Sequence, residues 1–145
     1  MKIYRVLAVD PGEKRIGLAI SDLTGTIANP LQIIYHSNRV SDAITIVQIA
    51  KEHEAQVIVV GAALDADDRA TPRSRSADRL AEAIRGQTNM EVILWDEYGT
   101  TKVVKEVLLE MGIGSKRRRG HHDAIAATLL LQSYLDSHHP KPDPG

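Results

Sequence analysis

Val57 to Gly61 reads Val-Ile-Val-Val-Gly, five residues with no polar face. Side chains alternate sides along a strand, so apolar residues at both parities mean that both faces are covered. A chain built around such a strand folds as an α/β protein, with helices packed on a sheet. Val6 to Asp10 (VLAVD) and Val92 to Asp96 (VILWD) are two further buried strands, and both end on an acid.

The rest of the chain falls into place around these three. Pro11-Gly12 is a strong turn, and Arg15 to Ser21 (RIGLAIS) follows it as the second arm of an antiparallel hairpin. A third strand is expected over Leu31 to Tyr35. Val40, Ala43, Ile44, Val47 and Ala50 recur at helical spacing, so a helix runs from Arg39 to Glu54, with Asn38 or Ser41 as its cap. A polar stretch from Asp65 to Ser76 reads as a loop. Ala77, Leu80, Ala81 and Ile84 mark a second helix, stopped by Gly86. Thr100 to Met111 is a third, Gly112 to Gly120 a loop, and Asp123 to Leu135 a last helix, apolar almost all round. The predicted fold is a mixed five-stranded sheet, three antiparallel strands and then parallel ones, with helices on both faces and the first strand central.

At 145 residues this is a single domain over 1–136. The remaining 137–145, SHHPKPDPG, is expected to be a disordered tail. Cysteine is absent, which excludes disulfides, thiolate metal sites and a cysteine nucleophile. One Trp, four Tyr and no Phe argue against an aromatic base-stacking platform. The formal net charge of −1 leaves any case for nucleic acid to local clusters. No apolar run nears the roughly 18–20 residues of a membrane span, and the N-terminus lacks a cleavable signal pattern, so the cytoplasm is the expected compartment.

Ligands of open α/β sheets bind beyond the carboxyl ends of the strands. Asp10 ends the first strand, Glu97 follows the last, and Asp123 opens the final helix. Three carboxylates without a thiol form a hard-cation set, suited to Mg²⁺ or Mn²⁺. Two such ions about 3.5–4 Å apart can clamp the attacking and leaving oxygens of a phosphodiester. Each acid also has a plain structural use, as a turn former or a helix-dipole partner.

Taken together, these residues resemble the YqgF/RuvX family of Holliday-junction resolvases and pre-16S rRNA processing nucleases, with an RNase H-like fold. The resemblance spans about Arg5 to Asp136. It rests on VLAVDPGEKRIGLAISD (Val6 to Asp22), VIVVG (Val57 to Gly61), WDE (Trp95 to Glu97) and GHHDAIAATLLLQSYLD (Gly120 to Asp136). It implies that Asp10, Glu97 and Asp123 are the catalytic, metal-binding carboxylates of an endonuclease, with rRNA maturation or junction resolution as its task. The chain departs from the family pattern at Ala62-Ala63, at Asp65, and at Tyr98-Gly99, where an Arg usually follows the acid.

Lys116, Arg117, Arg118 and Arg119 form a cationic run just before Asp123. With Lys14 and Arg15 of the first turn, and Arg69, Arg73 and Arg75 of the polar loop, they could seat a phosphate backbone of structured RNA or branched DNA. His121 and His122 lack metalloprotease spacing and read as exposed. Trp95 reads as core. The protein is expected to act as a monomer or homodimer. Two other functions compete: a non-catalytic nucleic-acid-binding module on the same scaffold, and a nucleotide-phosphate-binding domain of the actin/sugar-kinase type.

Overall fold

The computed structural model describes residues 4–62, 72–96 and 115–138, with side chains from 75 in the second stretch and from 125 in the third. Its elements are β1 (Val6–Pro11), β2 (Arg15–Ser21), β3 (Ala28–Tyr35), α1 (Arg39–Glu52), β4 (Val57–Ala62), α2 (Pro72–Arg85), β5 (Glu91–Asp96) and α3 (Ser115–His138). The helix expected over Thr100 to Met111, and the tail beyond His138, lie outside the described residues.

The sheet has five strands in the order β3-β2-β1-β4-β5. β1 is central, as expected. A short turn links it to β2, and so close a connection allows only an antiparallel pair. Helical crossovers make β4 parallel to β1, and β5 parallel to β4. Leu7, Val9, Ile58 and Val60 face α1 and α2, where they meet Ile46, Ala50, Leu80 and Ile84. Val6, Ala8, Val57 and Val59 face the other way, against Ala127, Leu130, Leu131 and Tyr134 of α3.

Several boundaries differ from expectation. β3 starts at Ala28 rather than Leu31. Pro30 pairs opposite Ala19, beside a register shift at Leu18/Ala19, and an edge strand tolerates a missing donor there. Asn38 caps α1 by accepting the Ser41 N–H at 2.8 Å. The helix ends at Glu52, not Glu54, because Glu54 turns left-handed at φ 58°. The loop expected up to Ser76 ends earlier: α2 begins at Pro72, and proline suits a first helical position.

The largest correction concerns the last helix. α3 begins at Ser115, so Lys116 to Arg119 lie on a helix and not in a loop. Position 123 falls in its third turn, beyond the reach of the helix dipole. The helix also runs through Ser137 and His138, the expected start of the tail. Among the described side chains of this helix, full burial is confined to one stripe, Ala127, Leu130, Leu131, Tyr134 and Leu135, rather than all round.

Candidate active site

β1, β4 and β5 are parallel, so their carboxyl ends share one edge of the sheet. β3 lies antiparallel to β2 and hence runs the same way as β1, so Tyr35 leaves the sheet at that edge too. Asp10 sits at this edge on the central strand. Alternation puts it on the side of Val6 and Ala8, the face that α3 covers. Only 5% of its surface is exposed.

A buried carboxylate needs compensation, and its neighbours shape what can supply it. Directly opposite on β2 is Gly17. On β4, Val60 is level with Val9, so Gly61 stands level with Asp10 on the same face. Glycines on both sides mean that neither neighbouring strand places a side chain against the carboxylate. Asp10 makes interactions of its own, while its Oδ1 atom is closed off from solvent and accepts no hydrogen bond among the described residues. The turn behind it is rigidly determined: a Cβ at Gly12 would lie 2.4 Å from the Arg15 carbonyl oxygen. Only glycine fits there, and it fixes how the chain leaves Asp10-Pro11.

Level with Gly61 on β5 is Trp95. Its Nε1–H donates to Ser133 Oγ of α3 at 3.3 Å, and its ring meets Tyr134 edge-on at 5.4 Å. Trp95 is thus a packing residue, as expected, that helps fasten α3 to the sheet. The Tyr134 hydroxyl lies 3.3 Å from that of Tyr4. Burial, and then this hydrogen bond, pushes its pKa above the usual tyrosine range.

The predicted site residues are distributed as follows. Asp10, Lys14 and Arg15 share the carboxyl edge, with Lys14 exposed in the turn and Arg15 opening β2 opposite Tyr35. The β4–α2–β5 crossover makes α2 start at that edge and run back from it, so Arg73 and Arg75 lie in its first turn; Arg75 is exposed. Asp123 lies one turn before Ala127 on α3, the helix that covers the Asp10 face. The side chains of Arg73, Lys116 to Arg119 and Asp123 lie outside the described residues, as do Arg69 and Glu97 entirely. Asp96, which ends β5, is exposed. Among the described residues no three acids or histidines gather as a metal site. No described helix is long and apolar enough to cross a membrane.

The motif reading missed one pair. His36 Nδ1 lies 2.5 Å from Asp42 Oδ2 at the β3–α1 corner. The available signal was slight: an Asp in the first turn of an already capped helix, six residues after a His that follows a strand.

With this geometry in hand, known proteins can be set beside it. The profile of the RuvX family, described as Holliday junction resolvase, matches residues 4–137. A protein of Thermoanaerobacter pseudethanolicus, named as a candidate pre-16S rRNA nuclease, is 39% identical over 92% of this chain and 96% of its own. One from Syntrophus aciditrophicus with the same name is 35% identical, covering 92% and 89%. Among solved structures, Thermus thermophilus RuvC in complex with a Holliday junction substrate superposes with a TM-score of 0.57 at 16% identity, over 96% of this chain and 99% of that one. The fowlpox virus resolvase bound to Holliday junction DNA gives 0.54 at 15% identity, over 94% and 99%. These two likenesses establish the expected RNase H-like fold. By its sequence, matched nearly end to end, the chain belongs to the RuvX family.

Proposed function

We propose that this protein is a metal-dependent endonuclease that hydrolyses phosphodiesters, with the 5′-end processing of pre-16S rRNA as its cellular task and junction-type DNA cleavage as a related capacity. The observation that carries the reading is the placement of Asp10. It is buried at the carboxyl edge of the central strand, between Gly17 and Gly61, on the face covered by the helix that bears Asp123. Family membership and the names of the relatives support it.

The residues fit a hard cation. The donors are carboxylate oxygens, and the two glycines put no side chain between Asp10 and its neighbouring strands. Asp10, Glu97 and Asp123 would hold one or two Mg²⁺ or Mn²⁺ ions, which when bound supply water activation and charge stabilisation at the leaving 3′ oxygen. The chain's own part is to place and to exclude. The Gly12 turn fixes Asp10, and α3, packed through Leu130 and Leu131, carries Asp123. Lys14, Arg15, Arg73, Arg75 and the Lys116–Arg119 run, with Arg69, would seat the phosphate backbone without reading its sequence.

Cleavage should be assayed on precursor rRNA fragments, four-way junctions and plain duplexes, with Mg²⁺ or Mn²⁺ and with chelator. The wild type is expected to cut in metal and stop in chelator. Asp10→Asn is expected to cut about 10³-fold more slowly, ~4 kcal/mol of barrier, while still binding. Cutting that persists in chelator defeats the metal mechanism. An Asp10→Asn enzyme as fast as wild type removes Asp10 from the chemistry.

A further inference from the structure

The corner between β3 and α1 holds a second, separate arrangement of titratable groups. The backbone N–H of His36 donates to the Lys14 carbonyl at 2.9 Å, tying this corner to the β1–β2 turn. Asp42 is 4% exposed. Its Oδ2 meets His36 Nδ1, and its Oδ1 accepts the Ser37 N–H at 3.1 Å. The His36 side chain is 44% exposed. One ring nitrogen is therefore engaged by a buried carboxylate, and no described residue bonds the other, Nε2.

Helix capping does not account for Asp42, since Asn38 already caps α1. Nor does holding a corner call for a histidine on a buried carboxylate, because an apolar contact of the same size often does as well. What the pair does achieve is a fixed ring direction, with a donor or acceptor held outward. Around it stand the exposed Lys14 and Tyr35, the latter 77% exposed.

The placement suggests a ligand. Asp10 is level with Gly17, and Gly17 with Ile33, so His36 lies two strands across and three residues beyond. That is roughly 10 Å in each direction within the sheet, with Asp10 on the α3 face and the His36 ring turned to Asp42 of α1, which packs on the other. One strand of a duplex carries a charge about every 3.4 Å of its axis, so a strand reaching from Asp10 to this corner meets it beyond the scissile position.

We propose that His36 is a phosphate-contacting residue for the nucleic-acid strand, outside the scissile position, and that Asp42 is its positioning residue. The inference rests on the nuclease reading above. As an imidazolium, His36 donates Nε2–H to a phosphate oxygen, with the exposed Lys14 on the adjoining turn. The charged group in contact with the ring is Asp42 from α1, while Lys14 of the β1–β2 turn meets His36 through its backbone carbonyl.

The test is the affinity of the full chain for a fluorescein-labelled RNA duplex, in chelator at about pH 6, over about 50–200 mM salt. His36→Gln is expected to bind about fivefold more weakly and to lower the slope of log affinity against log salt by about 0.9. Asp42→Asn should weaken binding in the same direction. The His36 ring resonance of the wild type, assigned by its loss in His36→Gln, should shift as RNA is added, which is a readout independent of variant stability. An unmoved resonance, or a His36→Gln protein with wild-type affinity and slope, overturns the proposal. A wild type that binds no RNA at any salt brings down the nucleic-acid reading itself, and this inference with it.

Discussion

The two faces of the sheet are built to different specifications. Under α1 and α2 the contact is aliphatic throughout, from Leu7, Leu18 and Ile20 to Ile46, Ile49, Leu80 and Ile84. Under α3 the buried set, among the described residues, is smaller and mixed with polar connections. Trp95 reaches Ser133, Tyr4 reaches Tyr134, and Gln132 Oε1 accepts the Ala28 N–H while its Nε2 donates to the Thr26 carbonyl. Asp10 emerges on this second face only. An aliphatic layer gives stability with little demand on direction, whereas hydrogen bonds fix one orientation of the helix over the sheet. The difference teaches that the second face is where side chains are aimed, and the first is what lets that aiming be afforded.

Matched truncations should separate the two roles. Ile46→Ala and Leu131→Ala each empty a fully buried site and should cost about 2–5 kcal/mol in chemical denaturation. Ile46→Ala should leave cleavage by the folded fraction unchanged. Leu131→Ala should slow it as well, since it loosens the helix that bears Asp123. Equal turnover in both variants would erase the distinction between the faces.

Gly17→Val probes the space rather than the packing. It should lower the cleavage rate about 10²-fold, or ~2.7 kcal/mol, by crowding the Asp10 carboxylate, with a smaller effect on RNA binding. An unaffected rate would mean that the gap beside Asp10 has no functional use.

The smallest effect belongs to Asp22, in the β2–β3 turn beneath α3. Burial raises its pKa, but hydrogen bonds from Thr24, Thr26 and Ile27 outweigh that and hold it below the usual value. Because the folded pKa is the lower one, its stabilisation is present above about pH 4 and fades as the pH falls through the folded value. Asp22→Asn should flatten acid unfolding slightly in that window, measured by melting temperature against pH.

Most of the central scaffold was legible because burial on both faces leaves an unmistakable mark. Val6 to Asp10 and Val57 to Gly61 are strands by composition alone, and the short turn dictated their antiparallel neighbour. The start of β3 was hidden by Pro30, a residue that disqualifies a central strand but not an edge one. The first turns of α3 were hidden because four consecutive cations and Gly120 show no apolar period, although Lys and Arg are good helix formers. Of the candidate site, the position of Asp10 followed from its strand. The flanking glycines and the His36–Asp42 contact did not, since both are made by register and corner geometry rather than by spacing along the chain.

Pro30 has a further consequence. β3 forms one lateral margin of the sheet, and its outer row of backbone groups faces away from β2. Such margins invite a strand from another molecule to join, which is how many proteins begin to aggregate. Here the proline supplies no amide proton, and the adjacent register shift bends the ribbon. A foreign strand laid alongside would meet a missing rung and a curved rail, so this margin guards the protein against uncontrolled polymerisation.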